Sequence, residues 1–191
     1  MNLKNSVIIV IVAALAVFFL LFFWNKGENK SVQNPDDNKN VPGNIGLSPQ
    51  EGLPKAVEEK RLAIYAAAIK GDYEALAALA DPDIKYSFGG PLEGGFMAFL
   101  KRAKDINGKN ALDIIPELLT LPYTKMRETN IYAWPSVFAK SSQEWTNEDI
   151  AQMKTLMSDK LIEDYRKFGG YAYWRIGITE DGKWIYYIAG D

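Results

Sequence analysis

The side chains best suited to chemistry lie in the last stretch of the chain, YAYWRIGITEDGKWIYYIAGD at residues 171–191. Tyr, Trp and Ile flank Asp181-Gly182 on both sides, with one arginine, Arg175, among them. Asp-Gly is favoured in a two-residue type I′ hairpin turn, because both positions take positive φ. That turn predicts a register in which Thr179 faces Trp184, Ile178 faces Ile185, Gly177 faces Tyr186, Ile176 faces Tyr187 and Arg175 faces Ile188. Alternation along the strands then separates two faces. Trp174, Ile176, Ile178, Ile185 and Tyr187 form an apolar face that reads as core. Tyr173, Arg175, Thr179, Trp184, Tyr186 and Ile188 form a mixed face, with Gly177 leaving room for the Tyr186 ring. Three readings of the mixed face stand. A helix covers it and Gly177 is a packing or bulge position; or it lines a concave pocket in which Tyr173, Arg175, Trp184 and Tyr186 bind a ligand; or it is an exposed patch for protein association. An arginine buried there needs an acid, and Glu128 on the neighbouring strand is the expected internal partner if there is one.

Other chemistry is sparse. The chain has no histidine and no cysteine. That removes the Ser-His-Asp arrangement, thiol nucleophiles, disulfides and most zinc or copper sites. No serine stands in an S-x-x-K arrangement. Paired carboxylates about 5–10 Å apart could hydrolyse a glycan, with Asp83, Glu93, Asp113 and Glu128 as candidates, although each also reads as an ordinary solvated or capping acid. GGPLEGG at residues 89–95 lacks the G-K-[ST] ending of a phosphate loop and carries Glu93 where an anion would be repelled, so it reads as a structural turn. Lys101, Arg102, Lys104 and Lys109 form a local basic cluster, either a solvated face or a contact for anionic headgroups. The chain carries 22 Lys and Arg against 24 Asp and Glu, a balance that gives no footprint for nucleic acid. No cofactor and no metal is implied.

The elements that position the C-terminal pair follow from periodicity. Residues 54–70 start with Pro54 in a first-turn position and stop at Gly71. Asp72 caps a second helix that ends at Asp81-Pro82. IKYSF at residues 84–88 alternates as a short strand. FMAFLKRAKD and NALDIIPELLTL read as helices, the latter capped by Asn110 or Asp113, and TNIYAWP as a strand stopped by Pro135. Thr146 with Asp149 makes a capping signature for one long helix over residues 146–168, ended by Gly169-Gly170. The prediction is one α+β domain over residues 53–191, a small curved and largely antiparallel sheet packed against about five helices.

The beginning of the chain has a different character. Residues 6–24 contain no charge and as a helix would span roughly 28 Å, close to a bilayer's hydrocarbon core. The run is too long for a signal peptide and ends in Phe22-Phe23-Trp24, bulky where cleavage needs small residues. It reads as an uncleaved single-pass anchor after a short flank, residues 1–5. The N-in, C-out orientation places the domain outside the cytoplasm, periplasmic or at the cell surface. Residues 25–52, rich in Asn, Pro, Gly, Asp and Lys, read as a flexible linker with a span of roughly 30 Å.

Helix, GDYEALAALADPD, short aromatic strand and Gly-rich turn into another helix resemble the opening of NTF2-like (cystatin-like α+β) domains over about residues 55–105. That resemblance implies a curved sheet that wraps a helix and encloses a pocket. The helix before a single terminal hairpin departs from that pattern. IYAWPSVFA, WTNED at residues 145–149 and YWRIGITEDGKWIYYIAGD also resemble an exported, membrane-anchored bacterial family of unknown function, which implies no activity. The expectation is a membrane-anchored extracytoplasmic domain of the cell envelope, not catalytic, that binds a small ligand or an envelope protein. The alternatives are a carboxylate-dependent envelope hydrolase and a structural subunit of a membrane complex.

Overall fold

The computed structural model describes residues 46–90 and 92–190. The expected anchor at residues 6–24 lies outside them, as does most of the expected linker. Among the described residues no helix is long and apolar enough to cross a membrane.

Among the described residues six α-helices and a five-stranded mixed sheet make an α+β fold. In chain order they are α1 Lys55–Ile69, α2 Tyr73–Leu79, β1 Ala80–Lys85, α3 Gly95–Arg102, α4 Ala111–Thr120, β2 Thr124–Lys125, β3 Ile131–Trp134, α5 Asn147–Leu156, α6 Asp159–Phe168, β4 Arg175–Thr179 and β5 Trp184–Ile188. Two 3-10 turns, Ser136–Ala139 and Ser142–Glu144, follow β3. The sheet order is β1-β5-β4-β3-β2, antiparallel except for β1, which runs parallel to β5. As an edge strand, β1 tolerates Pro82, which has no N–H to donate.

The local signals act as their chemistry predicts. Asp72 accepts the Ala75 N–H at the start of α2. Thr146 and Asp149 form a reciprocal capping box on α5. Gly169 ends α6 in the left-handed region, at φ 105°. Helices α1, α3 and α4 bury one face of the sheet, where Ile64, Leu100, Ile114, Ile115 and Leu118 meet Trp134, Ile176, Ile178 and Tyr187.

Several expectations are corrected. The long helix over 146–168 is two helices: Met157 is extended, and Ser158 starts α6 by accepting the Leu161 N–H. The strand expected at residues 84–88 ends at Lys85, so Phe88 falls in the following loop, 61 % exposed. The folded region also begins before residue 53. Arg61 donates to Ser48 O, Gln50 donates to Leu121 O, Trp134 Nε1 donates to Gln50 and the Tyr123 hydroxyl donates to Glu51 O, so residues 48–51 belong to the domain and not to a linker.

The hairpin holds the most instructive correction. Gly182 takes φ 84° but Asp181 does not take positive φ, and Gly182 N–H donates to Thr179 O. Thr179 therefore pairs with Lys183 across a three-residue loop, the type I turn closed by a left-handed glycine. Ile178 then faces Trp184, not Ile185, and a bulge restores the pairs Gly177–Tyr186, Ile176–Tyr187 and Arg175–Ile188. The extra residue is Ile185, and the local shift turns Trp184 from the mixed face to the core.

Candidate functional site

Four positions were expected to share the mixed face, and the fold keeps two of them there. Tyr173 precedes the ladder at a bend. The Tyr171 hydroxyl donates to Trp174 O at 2.7 Å, and the Tyr173 hydroxyl donates to Asp105 Oδ2 at 2.7 Å, so the Tyr173 ring is buried beside the loop between α3 and α4. Burial and then the Asp105 carboxylate push the Tyr173 hydroxyl far above its ordinary range. Trp184 is fully buried in the core, edge-on to Phe96 at 5.2 Å, with its ring N–H donating to Tyr186 O at 3.0 Å. Arg175 and Tyr186 remain together.

Around them is a groove of about 310 Å3 lined by Lys85, Met126, Thr129, Ile131, Phe138, Arg175, Tyr186 and Ile188. Each wall follows from the register. Lys85 on β1 is level with Tyr186 on β5, Arg175 on β4 faces Ile188, and the Met126 N–H donates to Ile131 O beyond the end of β2. Phe138 comes from the 3-10 turn that Pro135 starts. Among the described residues no α-helical residue lines the groove, whereas helices cover the opposite face of the sheet. Gly177 is required here: a Cβ at that position would collide with the Tyr186 ring, which lies flat over it. Burial raises the Tyr186 hydroxyl, partly opposed by the Arg175 charge, to a pKa of about 12, so it stays protonated near neutral pH.

Arg175 dominates the electrostatics. The residue is only 8 % exposed, its guanidinium stacks over the Phe138 ring at 4.7 Å, and its Nη1 is buried with no hydrogen-bond partner among the described residues. Glu128 does not serve as its partner. It sits exposed in the turn between β2 and β3 at φ 57°, and among the described residues no carboxylate bridges Arg175. A buried guanidinium normally has a carboxylate or several carbonyl oxygens to replace its lost hydration.

The other expected chemistry disperses. Asp83 and Glu93 are exposed on separate segments, and Asp113 accepts from Asn110 Nδ2 at the start of α4. None of the four candidate carboxylates lines the groove. Among the described residues no group of three or more His, Cys, Asp or Glu could hold a metal ion. In GGPLEGG, Gly90 and Gly94 take positive φ as tight-turn residues do. A second hollow of about 500 Å3 shares Lys85 and Ile188 with the groove and is bounded by Phe88.

Two features escaped sequence reasoning. Phe138 and Met126 complete the groove, yet they lie in irregular segments where no periodicity predicts facing. Arg61 is a second buried arginine, set in an apolar helix stripe, and Glu58 three residues earlier was the available sign of an intrahelical ion pair. No family model, no curated protein and no solved structure matches the chain.

Proposed function

We propose that the chain is a single-pass envelope protein whose extracytoplasmic domain binds a small ligand without catalysis, in the groove at Arg175. The anchor in this reading is residues 6–24, supported by a charge-free run long enough to span a bilayer. The observation that carries the binding function is Arg175 itself. Its cation is nine-tenths buried, has no acid partner among the described residues and borders an open apolar groove. A side chain kept in that condition is costly for folding alone, and Arg175 is one of the residues that line the groove. That none of the described lining residues is an acid weighs against the carboxylate hydrolase.

The test compares folding with binding. Arg175→Met keeps length and apolar contact with Phe138 and removes the charge. Because no partner among the described residues is lost, thermal unfolding of the variant should match or exceed that of the wild type, while ligand capture from an envelope extract is lost. A large drop in stability would make Arg175 a structural residue and remove the groove's claim to function. The anchor is checked separately: the protein should stay with membranes through a carbonate wash, and a soluble form starting near residue 26 would overturn it.

A further inference from the structure

The walls of the groove narrow its ligand to a chemical class, an inference that rests on the groove being the binding site. Among the described residues the two charged lining groups, Arg175 and Lys85, are both cations. Lys85 is exposed at the rim, whereas Arg175 is buried with Nη1 unpartnered among the described residues. Ile131, Ile188, Met126 and the Phe138 ring supply apolar walls.

From this we infer that the groove takes a detached single-chain carboxylate, its head on the Arg175 guanidinium and its short apolar tail against Ile131, Ile188 and Met126. Charge argues for a monoanion. One negative charge neutralises the one buried guanidinium, while a dianion would carry surplus charge into an apolar setting. Geometry argues for a carboxylate, whose two oxygens match the planar fork of arginine donors. Size argues against a membrane lipid. At about 30 Å3 for each water-sized group, the groove of about 310 Å3 holds a molecule of roughly ten heavy atoms. A two-chain lipid is several times larger.

Met126 provides a reporter within the groove. The full chain, carrying 13C-methyl methionine in discs of neutral lipid, is titrated with hexanoate, with its neutral isostere hexanamide and with acetate; Met126→Leu assigns the signal. Hexanoate should shift the Met126 methyl with at least tenfold higher affinity than hexanamide, and also more tightly than acetate, which lacks the tail. In Arg175→Met the preference for hexanoate over hexanamide should fall to near one, and an unchanged Met153 signal, from the buried core, reports that the variant is folded. If that variant does not fold, Ile131→Trp fills the groove with Arg175 in place and should abolish the hexanoate shift. Equal binding of hexanoate and hexanamide would overturn the carboxylate assignment and leave the groove as a site. No shift of Met126 with any of the three would overturn both. Discs of anionic lipid that move the Met126 signal without added carboxylate would make a lipid headgroup the ligand and also overturn the assignment.

Discussion

Two arginines are buried in this domain, in opposite circumstances. Arg61 on α1 is fully buried and bonded throughout. Its Nε and Nη2 donate to the Glu58 carboxylate at 2.7 and 2.9 Å, Nη1 donates to Leu119 O at 2.6 Å and Nη2 to Ser48 O at 2.6 Å. It ties α1, the end of α4 and the segment ahead of α1 together. Arg175 has an aromatic ring beneath it, and nothing among the described residues accepts its buried Nη1–H. The same side chain is therefore a structural tie in one place and a vacant donor in the other. Burial alone does not distinguish a core charge from a site charge; the accounting of acceptors does.

The largest expected effect comes from breaking the satisfied arginine. Arg61→Met should lower unfolding free energy by about 3–5 kcal/mol, because it strands the Glu58 charge and two carbonyl oxygens. Urea denaturation measures it, and a loss below that of Arg175→Met would invert the comparison. Gly182→Val comes next, at about 2–3 kcal/mol, since a β-branched residue resists φ 84°. Its Cβ would also approach Ala56 O at 2.9 Å. Unchanged stability there would mean that the three-residue turn is misplaced, and with it the register that brings Arg175 opposite Ile188.

An intermediate case sharpens the contrast. Asp149 is buried with its acceptors used, taking Lys140 Nζ at 2.8 and 2.9 Å and the Thr146 N–H at 2.8 Å. Burial by itself would raise its pKa, but the Lys140 and Thr146 hydrogen bonds outweigh it and hold the carboxyl below the ordinary 3.8. A depressed acid stabilises the fold above its unfolded pKa. That contribution is present above 3.8 and is lost as pH falls through the lowered value. Asp149→Ala should cost about 1–2 kcal/mol at neutral pH, and urea unfolding of this variant should vary less with acid than that of the wild type. The smallest effect belongs to Arg175→Met, a change in unfolding free energy between zero and a gain of about 1 kcal/mol, read in the same urea series.

The part of the fold carried by local chemistry was legible in the sequence. Asp72, the Thr146–Asp149 pair and Gly169 act within one turn of the chain, so their hydrogen bonds follow from spacing. Ser158 was equally legible and was overridden by an apolar stripe that runs on across the break. The hairpin shows the limit. Asp-Gly fits both a two-residue and a three-residue loop, and the two differ by one residue in register. The bulge at Ile185 cancels that shift beyond Gly177, so the pairings of Arg175 with Ile188 and Gly177 with Tyr186 match the expected register and that of Trp184 does not.

The sequence by itself determined the α+β class, most helix ends, the apolar N-terminal run and the scarcity of catalytic groups, because each depends on residue type and short spacing. Tertiary structure alone decided which side of the sheet the helices cover, and where Tyr173, Trp184 and Phe138 end up. It also decided which buried arginine finds acceptors. Those outcomes depend on distant segments: Ser48 and Leu119 reach Arg61, the Phe138 ring reaches Arg175, and no carboxylate among the described residues does. Pattern along a chain fixes the direction of a side chain, but not what the fold brings to meet it.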